Sequence, residues 1–209
     1  MPYSHGTNLR QRISENLLAF ERERQSTAIE GLKPAAVVLA VARQDDGTGA
    51  LLITRRSYNL RTHKGQWALP GGRLDDGEDV ATAALRELQE EINLTPPAQN
   101  ILGLLDDYPT RSGYLMTPIV VWIDDLGQMA ANPDEVASIH QIPLKELSRP
   151  DSPQFIRKGP DKDIIIRMLF NDVRIHAPTA AVLYQFREVA VEGNPIRVSQ
   201  YAPPGWAQR

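Results

Sequence analysis

The 209-residue chain is 42% hydrophobic and 23% charged, the balance of one folded globular domain with terminal extensions. A formal charge of -3 argues against general binding to nucleic acid or to a membrane surface. With no cysteine, disulfides, thiolate metal sites and a thiol nucleophile are excluded. No apolar run approaches membrane-span length, and the polar N-terminus lacks a signal-peptide core. The expectation is a soluble cytoplasmic protein.

Residues 8–25 predict an amphipathic helix, with Leu9, Ile13, Leu17 and Phe20 at helical spacing, docked on the domain. Residues 1–30 are therefore read as a helical extension, 31–192 as the main domain and 193–209 as an irregular tail. "AAVVLAVAR" is a continuous apolar run of buried-strand length. "QDDGTG" turns it into a second strand, "ALLITRR". "SYNLRTHKGQ" is a basic loop, and "WALPGG" a short strand ending in a turn. A helix covers 79–92. "ILGLLDDYP" and "YLMTPIVVWI" are strands joined by "TRSG", and "DEVASIHQIPLKEL" is a loop, a short strand and a short helix. "DIIIRMLF" and "VRIH" form a hairpin, and "PTAAVLYQFREVAV" is a second long helix opened by Pro178. Mixed strands with two or three helices imply an α+β or α/β sandwich.

The helix at 79–92 concentrates acid. Glu87, Glu90 and Glu91 stand at i, i+3 and i+4 and so share one face, with Ala81, Ala84, Leu85, Leu88 and Ile92 as the opposite, core-facing stripe. Like charges at this spacing repel. The face is either simply solvated or an oxygen-only site for a hard divalent cation such as Mg2+ or Mn2+.

From Gly72, five residues lead to Glu78, seven more to Arg86, and then comes "RELQEEINL". This resembles the Nudix box, G-x5-E-x7-R-E-U-x-E-E-x-G-U with U aliphatic. Gly72, Glu78, Arg86, Glu87, Leu88, Glu90, Glu91 and Leu94 are in register, and Asn93 replaces a Gly. Asn is the next-best residue for a left-handed helix end, so the departure leaves the acids untouched. The resemblance implies a Nudix fold, an α/β/α sandwich around a mixed sheet. It implies Glu87 and Glu91 as metal ligands, with Glu90 completing the cluster and a carbonyl of the Gly71–Gly72 turn adding a ligand. Glu78 and Arg86 would pair structurally through the bidentate guanidinium fork. The cation, Mg2+ or Mn2+, would neutralise a diphosphate and lower the pKa of a water. The general base is Glu90 within the box, or Glu135 from the "NPDEVASIHQIPLKEL" loop, which resembles a Nudix segment carrying a catalytic acid.

"TRRSYNLRTHKGQWALPGG" resembles the segment marking the coenzyme A diphosphatase branch, L-L-T-x-R-[SA]-x3-R-x3-G-x3-F-P-G-G. Thr54, Arg56, Ser57, Arg61, Gly65, Pro70, Gly71 and Gly72 fit; Ile53 and Leu69 are apolar replacements. Arg56, Arg61, His63 and Lys64 form a cationic cluster suited to a ligand carrying a diphosphate and a separate phosphate. Thr110, Ser112, Gly113, Tyr114, Thr117 and Pro118 also resemble this branch, and Ser112 and Tyr114 either shape the substrate mouth or only make a hairpin turn. The implied reaction cleaves coenzyme A or acyl-CoA to 3',5'-ADP and 4'-phosphopantetheine. The rivals are another nucleoside diphosphate derivative, such as ADP-ribose or NADH, and a non-catalytic nucleotide sensor. A small nucleotide is the expected partner, not nucleic acid or membrane, and a homodimer is a further expectation.

Of the histidines, His63 lies nearest the phosphates, His140 and His176 read as packed or edge residues, and His5 sits in an N-terminus expected to be mobile. No histidine pair has zinc spacing, and Ser57 and Ser112 lack a triad. Trp67 is expected beneath the site and Trp122 in the core, while Trp206 caps a groove or meets a partner.

Overall fold

The longest apolar run becomes the spine of the molecule. In the computed structural model, which describes residues 2–24, 31–157 and 164–202, strand β1 (Lys33–Arg43) is buried from Ala35 to Ala42. In chain order, the elements are α1 (Thr7–Ala19), β1, β2 (Gly49–Arg56), β3 (Trp67–Ala68), β4 (Gly71–Arg73), α2 (Val80–Ile92), β5 (Ile101–Leu104), β6 (Tyr108–Pro109) and β7 (Tyr114–Trp122). There follow β8 (Val136–Pro143), α3 (Leu144–Leu147), β9 (Gln154–Arg157), β10 (Ile164–Phe170), β11 (Val173–His176), α4 (Thr179–Gln185) and β12 (Tyr201–Ala202).

Strand β1 runs parallel to β7 and antiparallel to β2 and β4. β8 and β3 pair with β2, and β5 and β6 with β7, giving an eight-stranded mixed sheet. Side chains alternate across a strand, so β1 feeds two cores. Ala36, Val38 and Ala40 pack with Ala84, Leu88 and Ile92 of α2. Val37, Leu39 and Val41 pack with Leu9, Ile13 and Leu17 of α1 and with Val182, Leu183 and Phe186 at α4. Helices thus cover both faces, as the α/β/α expectation requires. Alanines on both sides of the α2 interface leave little bulk between helix and sheet. That close approach brings the helix's acids down to the Gly71–Gly72 strand. No helix among the described residues is long and apolar enough to cross a membrane.

Several expectations are corrected. Helix α1 stops at Ala19 rather than running on toward 25, because residues 21–23 are taken by tertiary bonds. Glu23 donates its backbone N–H to Asp106 at 2.6 Å, Arg22 pairs with Asp107 at 2.6 Å, and Arg197 donates to the Glu21 carbonyl at 2.8 Å. The N-terminus is packed rather than mobile at His5, whose ring stacks on Trp122 at 3.9 Å beside a Ser4–Thr48 bridge. The buried stripe of α2 is Ala83, Ala84, Leu88 and Ile92; Ala81 and Leu85 are only half-buried, because the helix is rotated to press Glu87 and Glu91 inward. Within the tail, Tyr201–Ala202 pairs in parallel with β10, which β9 also joins, making a small second sheet. The second long helix changes to π-helical turns over Phe186–Glu192. Trp206 lies outside the described residues.

Candidate active site

Helix α2 is capped at both ends by its own sequence. Asp79 accepts from the Thr82 N–H at 2.7 Å, which fixes the first turn. Asn93 adopts the left-handed conformation, φ 55° and ψ 41°, and its amide also donates to the Gln128 carbonyl at 2.7 Å. A glycine there would close the helix equally well but could not make that second bond.

Between these caps, Glu87 and Glu91 stand one turn apart on the buried side. Glu135 reaches them from the loop before β8, and oxygens of the three carboxylates lie within 4.8 Å of one another. The loop is latched twice. Asn132 donates its N–H to the Glu91 carbonyl at 2.9 Å, and the Glu135 carbonyl accepts from the Ser57 N–H at 2.8 Å. The Ser57 hydroxyl donates to the Pro133 carbonyl at 3.0 Å. Asn132 was not singled out from the sequence; the "NPD" turn signal is the feature that would have found it.

The two glycines serve different purposes. A Cβ on Gly71, at φ 149°, would lie 2.3 Å from the Ala36 carbonyl oxygen, so strand contact excludes one. A Cβ on Gly72 would fall 2.1 Å from Glu87 Oε1, inside the carboxylate's own space. Gly71 also donates its N–H to Glu91 Oε2 at 3.3 Å.

Arg86 organises the outer side. Its Nε and Nη2 fork onto the two oxygens of Glu78, each at 3.0 Å, pinning the loop to the helix. Nη1 reaches Glu87 at 2.9 Å and Glu90 at 2.8 Å. Glu90 is therefore on the solvent side, engaged by Arg86, and outside the triad. The structure brings together Glu87, Glu91 and Glu135, not Glu87, Glu90 and Glu91.

Burial pushes the Glu91 carboxyl up to about 8, with the charge of Glu87 adding to the effect and the Gly71 N–H and Arg56 opposing it. Glu87 is raised in the same way by burial, against the pull of Arg86. Two buried acids and a third, all oxygen donors with only Arg86 and Arg56 as nearby cations, fit a hard divalent cation.

The family model for the NUDIX domain matches residues 32–161, more than half of the chain. The chain belongs to the Nudix family. Relatives include an uncharacterized Nudix hydrolase NudL from Cronobacter sakazakii, 37% identical over 129 residues, covering 61% of this chain and 66% of that one. NudL of Citrobacter koseri is 39% identical over 118 residues, covering 56% and 60%. The chain thus spans less than two thirds of the length of these relatives. Among solved structures, the Nudix hydrolase RenU from M. smegmatis superposes with a TM-score of 0.51 at 20% identity, covering 79% of this chain and 89% of that one. A NUDIX hydrolase from Nitrosomonas europaea also gives 0.51, at 18% identity, covering 78% and 75%. At these identities the superpositions show the fold alone.

On this Nudix scaffold the predicted substrate residues divide. Arg56, at the end of β2, is half-buried, acts on Glu91 through its charge, and has no hydrogen-bond partner for Nε among the described residues. Arg61 and Lys64 are exposed on the following loop, while His63, at φ 57°, lies 3.2 Å from the Gln66 side-chain oxygen. Ser112 and Tyr114 belong to a closed turn between β6 and β7, in which Thr110 and Tyr114 exchange bonds at 2.7 and 2.9 Å. Tyr114 pairs with Lys33 of β1, whereas Gly71 pairs with Val37, so the turn sits further down the same strand. No hydrogen bond among the described residues joins Ser112 or Tyr114 to the carboxylates. Trp67 packs at the sheet edge, edge-on to the half-buried His140 at 4.6 Å.

Proposed function

We propose that the protein is a divalent-cation-dependent hydrolase of nucleoside diphosphate derivatives, acting in the cytoplasm on coenzyme A or acyl-CoA. The observation that carries the hydrolase reading is the Glu87–Glu91–Glu135 cluster beside the Gly71–Gly72 strand. The coenzyme A reading rests on the 54–72 segment, whose Arg56, Arg61, His63 and Lys64 give one ligand several cationic contacts.

Glu87 and Glu91 would hold Mg2+ or Mn2+, with Glu135 beside them, and the cation would supply Lewis acidity toward the diphosphate oxygens. The chain's own part is positioning. Arg86 and the two helix caps fix the carboxylates of α2. The latch through Ser57 and Asn132 sets the reach of Glu135, which we favour over Glu90 as the group that takes the proton of the attacking water. Glu90 stands outside the cluster, under Arg86. Arg56, whose charge reaches Glu91 from the end of β2, would stabilise charge developing on the diphosphate. Cleavage of coenzyme A would give 3',5'-ADP and 4'-phosphopantetheine.

The test is a panel of coenzyme A, acyl-CoA, ADP-ribose and NADH, assayed with purified protein and either cation. The expected outcome is the highest kcat/KM for coenzyme A or an acyl-CoA. Preference for ADP-ribose overturns the substrate assignment, and no turnover of any member overturns the hydrolase reading.

A further inference from the structure

The loop that latches Glu135 also carries an exposed aromatic ring. Tyr58 is 59% exposed. Single exposed apolar side chains are ordinary. The other large ones differ in setting: Leu18 lies on α1, and Phe155 packs against Tyr184 and Tyr201 at the small sheet. Tyr58 stands next to Ser57, whose N–H holds the Glu135 carbonyl.

The Tyr58 ring is held from behind. The Arg55 guanidinium lies 5.7 Å from its centroid and 5.7 Å from that of Trp67, a cation between two rings. Arg55 is itself fixed, because its Nε donates to the Gly65 carbonyl at 3.0 Å. A Cβ on Gly65, at φ 62°, would stand 2.6 Å from the tyrosine ring. The glycine of the 54–72 segment thus leaves the room the ring occupies. The chain has fixed a ring with an exposed face in a cationic loop, one residue beyond the Ser57 that holds the Glu135 carbonyl.

We infer that Tyr58 is a stacking platform for the nucleobase of the nucleoside diphosphate substrate. The inference rests on the diphosphate reading of the carboxylate cluster. A base tethered through ribose to a diphosphate is the planar, uncharged group that such a substrate brings to the loop. Stacking on an aromatic face is available to any base, so Tyr58 contributes affinity for nucleotides as a class rather than a choice among bases. The flanking Arg56 and Arg61 remain for the phosphates.

Calorimetric titration of the full chain with ADP and, separately, inorganic diphosphate tests this, with Ca2+ present to prevent turnover. In Tyr58→Ala, ADP affinity should fall about tenfold, with diphosphate affinity unchanged. Tyr58→Phe, which keeps the ring, should bind both as the wild type does. Equal losses for both ligands, or none for either, overturn the inference while leaving the diphosphate reading intact. Wild-type protein that binds neither ligand overturns both. Concentration-dependent self-association that Tyr58→Ala abolishes, with ADP binding retained, assigns the ring to a second copy instead.

Discussion

Two pairs of buried carboxylates are treated in opposite ways. Asp106 and Asp107, between β5 and β6, are surrounded by donors. Asp106 accepts from the Glu23 N–H and the Gln185 amide, each at 2.6 Å, and pairs with Arg197 at 3.3 Å. Asp107 accepts from Arg22 at 2.6 Å and from the Thr117 hydroxyl at 2.7 Å. Glu91 receives one backbone N–H, at 3.3 Å, and Glu87 shares Arg86 with Glu78 and Glu90. Burying a carboxylate costs several kcal/mol unless charge and hydrogen bonds return it. The chain returns it at Asp106 and Asp107, which tie together residues 22–23, 117, 185 and 197. At Glu87 and Glu91 it leaves a deficit that a cation can fill. The same residue chemistry is structural where it is saturated and is available to a ligand where it is not.

The strongest way to break this contrast is Glu91→Gln. Turnover should fall by more than about a hundredfold, because the proposed cation site would lose a ligand that contributes to transition-state charge neutralisation. The melting temperature in chelator should hold or rise, since the neutral amide replaces a buried carboxyl whose ionisation burial opposes. Normal turnover sinks the ligand assignment. Asp106→Ala should do the reverse. It strands Gln185 and Arg197 and should cost roughly 2 kcal/mol in urea denaturation, below the fully buried range because Arg197 is partly solvated. Turnover per folded molecule should be unaffected; a loss matching Glu91→Gln would erase the distinction between the two pairs. Glu90→Gln should have the smallest effect, removing one contact of Arg86 at the solvent side for less than about 0.5 kcal/mol, with most activity retained. Collapse of activity there would return the base to Glu90 and displace Glu135.

These differences also show what a one-dimensional reading can reach. The box from Gly72 to Leu94 is legible because its functional spacing is local: Glu87 and Glu91 must be one helical turn apart wherever the helix packs. The orientation of Glu90 is not legible, because helix phase is set by the partner surface. Alanines at 36, 40, 83 and 84 let α2 roll inward, burying Glu87 and Glu91 and turning Glu90 outward. Glu135 was reachable only through its resemblance to a family segment, and Tyr58 not at all, since its setting depends on Arg55, Gly65 and Trp67 meeting in space. The strand reading of "ILGLLDDYP" passed over Asp106 and Asp107 because their partners come from positions 22, 23, 117, 185 and 197. Tertiary bonds of that range also ended α1 early, against its local propensity.

The Arg197 hub has a consequence for the order of assembly. Its bond to the Glu21 carbonyl joins positions 176 apart, and its ring contact with Phe20 lies at 4.5 Å. Contacts of such separation close late and slow the search for the native state. A ribosome releases residues 20–24 early, then Asp106, and Arg197 only long afterwards. Until then residues 21–23 have their aspartates but not the arginine that locks them. The nascent chain can build its central sheet and carboxylate site before that lock exists, so the final turn of the key in vectorial folding belongs to an arginine remote from the chemistry.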